Sequence, residues 1–297
     1  MRSAGHDMAP VRIGVCVDDV GLRPGVAEAA LDLCRAGRVS ALSCMSDAPA
    51  WREAAATLVP ELRGAVDFGL HLTFTEPWSG SRLKRPLRAL IVAAHARALD
   101  GAAARDDIRR QLDAFEDAVD EAPDFVDGQQ HVHQLPLIRD ALVDELAARY
   151  GDRKPWLRHT GAPRRARCAA LPNADEVKER VIEALGAGGL RRLARIAGFE
   201  QNGHLLGVYG FTGSAEDYLA RWRRWCAQAS SGDLLMCHPA TPGDDRDDPI
   251  ARARAVEYGV LCDERAAAVR DPHRVEVVRL SAGATTEPSE LGRSPSS

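Results

Sequence analysis

Short apolar runs alternate along the chain with longer Ala-rich stretches whose apolar positions recur at helical spacing. That alternation marks repeated βα units and a mainly parallel sheet. Strands are predicted at 11–17, 39–45, 65–72, 125–128, 156–158, 205–209, 234–237 and 275–280. Helical composition and charge spacing occupy 25–37, 105–121, 137–150, 174–185, 215–229 and 250–270. Pro24 stands where the first turn of a helix tolerates a missing N–H, and Gly37 where a helix closes. The stretches 82–106 and 188–195, rich in Ala and Arg, read as solvated helix faces. The pattern predicts an α/β fold, a barrel with mainly parallel strands, forming a single domain over 11–280. A flexible segment, 1–10, precedes it, and the Ser, Gly, Pro and Thr of 281–297 predict a disordered tail.

Composition narrows the function. The 297 residues are 45% apolar and 28% charged, enough for a sizeable core. Thirty-nine basic residues against 43 acidic ones leave a net charge of -4, without the basic excess that binding a phosphate backbone needs, so nucleic acid is excluded as an expected partner. No apolar stretch has the length of a signal peptide core or a membrane span, and a cytoplasmic location is expected. The seven cysteines form no CxxC pair; Cys16, Cys44 and Cys237 lie in apolar runs and read as small buried hydrophobes.

In parallel α/β folds the reacting groups gather where strands end, because the loops leaving that edge converge on one cleft. Four places meet the rule: Asp18 and Asp19 after the first strand, His71 in GLHL, the run Asp127, Gln129, His131 and His133, and His238 before Pro239. Two adjacent carboxylates at a buried strand end repel unless a cation or a proton compensates them; the alternative is that one of them caps the next helix. The four polar residues from 127 to 133 alternate, so an extended backbone would project them to one side. A histidine at the position of 238 can exchange a proton near neutral pH.

The segments VDDVGLRPGVAEAALDLCRAGRVSALSCM at 17–45, FGLHLTFTEP at 68–77, PDFVDGQQHVHQLP at 123–136 and GDLLMCHPA at 232–240, with WLRHTGAP at 156–163 as a looser match, together resemble the YdjC-like carbohydrate deacetylases. The best-known members of that family remove acetyl groups from chitooligosaccharides. The resemblance implies a distorted (β/α) barrel related to the polysaccharide deacetylases and a divalent metal bound by an aspartate and two histidines. By position, Asp19 and His71 resemble metal ligands, Asp18 the general base, and His238 the acid that protonates the leaving amine. Gln129 stands where the family has its second ligand histidine. An amide oxygen suits hard cations, so Mg²⁺ is expected before Zn²⁺ or Mn²⁺, with Gln129 or, in its place, His131 as third donor. Arg158 is expected to orient Asp18 or hold a substrate oxygen, and Trp78 and His133 are expected to bind substrate. The reading is a metal-dependent hydrolase of N-acetylated sugars; its alternative is a barrel that binds sugar without turnover because of Gln129. A small carbohydrate and at most a second copy of the chain are the expected partners.

Overall fold

A computed structural model describes residues 9–163, 173–243 and 247–283. Segments 1–8 and 284–297, and with them most of the expected flexible ends, lie outside the described residues, as does Cys168. Among the described residues eight strands form one sheet: β1 Val11–Val20, β2 Ala41–Cys44, β3 Asp67–Leu72, β4 Phe125–Gly128, β5 Trp156–Leu157, β6 Leu205–Leu206, β7 Leu234–Cys237 and β8 Val275–Val277. They run in the order β5-β4-β3-β2-β1-β7-β6, every pairing parallel, and β8 pairs with β1. The long β1 carries β8 along Val11–Ile13 and then β7 along Gly14–Val17. Among the described residues an isolated parallel bridge joins Leu157 of β5 to Gln201, in the segment that leads into β6. The fold is the distorted (β/α) barrel of parallel strands that the sequence predicts.

The connecting helices are α1 Pro24–Arg35, α2 Trp51–Leu62, α3 Leu87–His95, α4 Gly101–Val119, α5 Ile138–Tyr150, α6 Ala174–Ala184, α7 Ala187–Ala197, α8 Ala215–Gln228, α9 Ala251–Cys262 and α10 Glu264–Ala268. The helix expected over 250–270 is two, because Asp263 ends α9 and its carboxylate caps α10 through the Arg265 N–H. No helix is predicted at α2, where Pro60 sits inside the last turn and obscures the pattern.

Registered neighbours share a face, so the lining follows from the pairings. Cys16 lies beside Ala41 and Met236, Gly69 beside Phe125, and Phe125 beside Trp156. These side chains form a small apolar cluster inside the curl, distinct from the larger core between sheet and helices. Phe125 and Trp156 stack at 4.4 Å, and a Cβ at Gly69 would overlap the Phe125 ring, so only glycine fits there. Below this layer Asp67, fully buried, accepts from Arg279 Nε at 2.8 Å, the Leu280 and Ser281 N–H groups at 3.0 and 3.1 Å, and Ser281 Oγ at 2.5 Å. Ser281–Gly283, the first residues of the expected tail, form a 3-10 turn that Asp67 holds in place, and the rest of that tail lies outside the described residues.

Candidate active site

Continuing the inward series past the apolar layer brings Asp18, Ser43, His71, Asp127, Arg158 and His238 to the C-terminal mouth. Successive residues of a strand face opposite ways, yet Asp18 and Asp19 both enter the site. The register of β1 slips between Val17 and Val20, and Asp19 takes a left-handed backbone with φ of 64°, a conformation Asp tolerates better than most residues.

Asp18 is fixed by a two-pronged pair: Arg158 Nη1 and Nη2 donate to its carboxylate at 2.6 and 2.7 Å. The same guanidinium reaches Asp127 Oδ2 at 2.6 Å, and Arg158 is fully buried. Asp127, opposite His71 in the ladder, accepts from His71 Nδ1 at 2.6 Å and from Ser43 Oγ at 2.6 Å. With Nδ1 so engaged, His71 presents Nε2 to Asp19 Oδ1 at 3.5 Å. The other Asp19 oxygen takes Arg254 Nη2 at 2.6 Å, and Arg254 is held in turn by Asp248 at 2.8 Å. On the far side of Asp18, His238 Nε2 stands 3.9 Å from Oδ2.

Three carboxylates thus face two guanidinium groups, and one negative charge remains. Burial works against a charged imidazole, but Asp127, with hydrogen bonds to Asp127 and Asp19, pushes His71 up to about 10. Burial also works against the ionised acids. Arg254 and His71 nonetheless hold Asp19 well below the carboxylate range, and Arg158 and His71 do the same for Asp127.

Two groupings could hold a cation. Among the described residues, Asp18, His71 and Asp127 bring one donor atom each within 4.8 Å of one another. Arg158 already fills the space between those two carboxylates. Asp19 Oδ1 and His71 Nε2 face each other at 3.5 Å, and Asp127 behind Nδ1 is the carboxylate support that ligating histidines commonly have. This second pair fits a divalent cation.

The residues after β4 depart from the expected extended strand. Gln129–Gln134 form a 3-10 segment with Gln130 and His131 left-handed, so the four alternating side chains do not share one face. The cause is Gly128, where the chain folds so tightly that a Cβ would lie 3.0 Å from the His133 nitrogen. Gln129 accepts from Thr75 Oγ1 at 3.1 Å and donates to Glu76 at 2.5 Å. His131 keeps a buried Nδ1 without a hydrogen-bond partner among the described residues, and burial together with His133 and Arg158 pushes the ring far below the histidine range, so it is neutral. His133, expected at the substrate, is instead fully buried with Nε2 on the Arg158 carbonyl at 3.0 Å, and burial lowers it to about 4. Trp78 is half-buried on the loop after β3. Composition and spacing did not single out Ser43, Arg254 or Glu257. The available signal was Arg254 and Glu257 on the face of α9 that also buries Ala253, Val260 and Leu261.

Residues 12–271 match the family model of YdjC-like proteins. The chain belongs to the YdjC-like family. This YdjC-like chain is similar to a Homo sapiens protein named carbohydrate deacetylase, 26% identical over 254 residues that cover 78% of this chain and 76% of that one. In structure it is similar to a candidate cellobiose-phosphate cleavage protein from Enterococcus faecalis V583, with a TM-score of 0.65, 14% identity and coverage of 92% and 99% of the two chains. A family 4 carbohydrate esterase from Streptomyces lividans superposes more distantly, with a TM-score of 0.42, 10% identity and coverage of 91% and 93%. No helix among the described residues of this YdjC-like chain is long and apolar enough to cross a membrane.

Proposed function

We propose that this YdjC-like chain is a metal-dependent carbohydrate deacetylase that hydrolyses the amide of an N-acetylated sugar or oligosaccharide. The observation that carries the reading is the placement of Asp18 and His238, 3.9 Å apart, beside the facing pair Asp19 and His71. Asp19 and His71 would hold a divalent cation, with Gln129 or His131 as third donor; Mg²⁺ comes first because an amide oxygen is a hard donor. Bound there, a divalent cation would supply Lewis-acid polarisation of the amide carbonyl and lower the pKa of a water toward neutral.

Asp18 takes the proton of the attacking water, its carboxylate held in one orientation by the Arg158 fork. His238 gives a proton to the leaving nitrogen, which releases acetate and the free amine. Arg158 also ties Asp18 to Asp127 and so to His71, making base and metal donor parts of one rigid unit. Trp78 offers an aromatic face to the apolar side of a sugar ring. One domain over 11–280 carries all of these groups.

Acetate release from N-acetylglucosamine oligomers, with the metal content of the purified protein measured in parallel, tests the proposal. Metal-stimulated acetate release is expected. Absence of release with Mg²⁺, Mn²⁺ and Zn²⁺ alike overturns it, and sugar binding without turnover would then favour the non-catalytic reading that Gln129 motivates.

A further inference from the structure

His238 lacks the usual means of aiming a proton-transferring histidine. Its buried Nδ1 has no hydrogen-bond partner among the described residues, so no acid orients the ring. What fixes His238 is its backbone and one aromatic edge. Its N–H donates to Glu257 Oε2 at 2.6 Å, and its carbonyl accepts from Arg254 Nη1 at 3.4 Å. Both partners come from adjacent turns of α9, so one helix grips the His238 peptide from both sides. Pro239 cannot donate a hydrogen bond, so the strand cannot continue its ladder there to supply that hold. Glu257 is completely buried, and the hydroxyls of Tyr209 and Tyr218 donate to it at 2.6 and 3.3 Å. Tyr209 packs on Phe211 at 5.0 Å, and Phe211 meets the His238 ring edge-on at 5.0 Å, closing a loop from carboxylate to imidazole. Phe211 adopts a left-handed backbone with φ of 57°, a strained state for a bulky residue that the surrounding packing must hold.

We propose that Glu257 is the positioning residue for His238. It substitutes a backbone anchor and a tyrosine-aromatic brace for the missing partner on Nδ1, and it acts on the reaction only through that histidine. The inference rests on the reading that His238 protonates the leaving nitrogen. A burial-only role for Glu257 would affect folding and leave the proton donor's placement unchanged.

A double-mutant cycle separates the two. Glu257→Gln keeps one acceptor for the His238 N–H, and Glu257→Leu keeps none. With N-acetylglucosamine oligomers, kcat is expected to fall about 10-fold in the first and about 100-fold in the second, with KM within about twofold, as for a misplacement of roughly 1 Å. In a His238→Ala background the same substitutions should cost less than about twofold more. Equal losses in both backgrounds overturn the proposal. Should the wild-type protein release no acetate, the deacetylase reading fails, and the positioning is decided by NMR of the histidine rings. The His238 resonances, assigned by their loss in His238→Ala, are expected to shift or broaden in Glu257→Gln while the His95 and His273 rings stay put. Unchanged His238 signals overturn it.

Discussion

Replacing Arg158 by Met is the most severe single change the site offers, because it removes charge and keeps volume. The guanidinium makes two bonds to Asp18 and one to Asp127, all between 2.6 and 2.7 Å, in a position with no solvent exposure. At an effective dielectric constant near 20, a pair of charges ~4 Å apart interacts by about 4 kcal/mol, and Arg158 has two such partners. Desolvation of the guanidinium offsets part of that attraction, and removing one partner of a buried cluster typically costs about 3–5 kcal/mol. Loss of Arg158 should fall in this range near pH 7. The loss should also depend on pH in one direction. In the wild type Asp127 is held well below the ordinary carboxylate value, so its stabilising contribution is present above about pH 3.9 and vanishes only as pH falls further. In Arg158→Met, burial without that counter-charge raises Asp127 instead. Its destabilisation is then greatest at high pH and shrinks as the carboxyl takes up a proton, by up to about 1.4 kcal/mol per pH unit. Urea unfolding of both proteins at pH 8, 7, 6 and 5 measures the difference. A difference below about 1 kcal/mol, or one that does not narrow toward pH 5, would refute the reasoning.

Three other outcomes are expected. Asp18→Asn and His238→Ala should each slow acetate release by about 10²–10⁴-fold while metal content stays at the wild-type level; wild-type turnover in either removes that residue from the mechanism. Gln129→His should tighten Mn²⁺ and Zn²⁺ binding by at least about 10-fold if the amide is the third donor, whereas little gain together with a severe loss in His131→Ala, both read by calorimetric titration, assigns that place to His131. His71, raised to about 10, contributes stability that is complete below about pH 6.5 and lost as pH rises through its folded value, so cation uptake at pH 7–8 should release about one proton; calorimetry in buffers of different ionisation enthalpy reads it, and zero release contradicts the placement of the cation at Nε2.

The barrel was legible because buried parallel strands are apolar on both faces and stand out as runs: Phe125–Gly128 and Leu234–Cys237 were predicted to the residue. Edges were less so. The runs at 205–209 and 275–280 contain only Leu205–Leu206 and Val275–Val277 as paired strand, since composition does not record where a partner strand stops. The site residues at strand ends were visible because polar side chains interrupt apolar runs there. The 3-10 segment after β4 was not, because alternation at 127, 129, 131 and 133 mimics a strand, and nothing local shows that Gly128 folds against residue 133. Arg254 and Glu257 were hidden for a different reason: on an isolated helix they look like an exposed charge pair, and only the β1 and β7 ends packed against α9 make them interior.

The placement of β1 between β2 on one side and β7 with β8 on the other governs how the chain can be assembled during synthesis. β1, made before the other described strands, is also central to the finished sheet. Its free edge waits for partners more than 200 positions downstream, with Gly14 beside Leu234 and Val11 beside Val275. At translation rates of 5–20 residues per second, the delay before β8 emerges is roughly 10–50 s. Throughout that interval an apolar strand edge, the mouth carboxylate Asp19, and the unsealed floor around Asp67 all stay incomplete. Arg254 and Arg279 arrive only near the end, so Asp19 and Asp67 gain their cationic partners late. Such long-range pairing makes for slow folding and leaves the nascent chain open to aggregation.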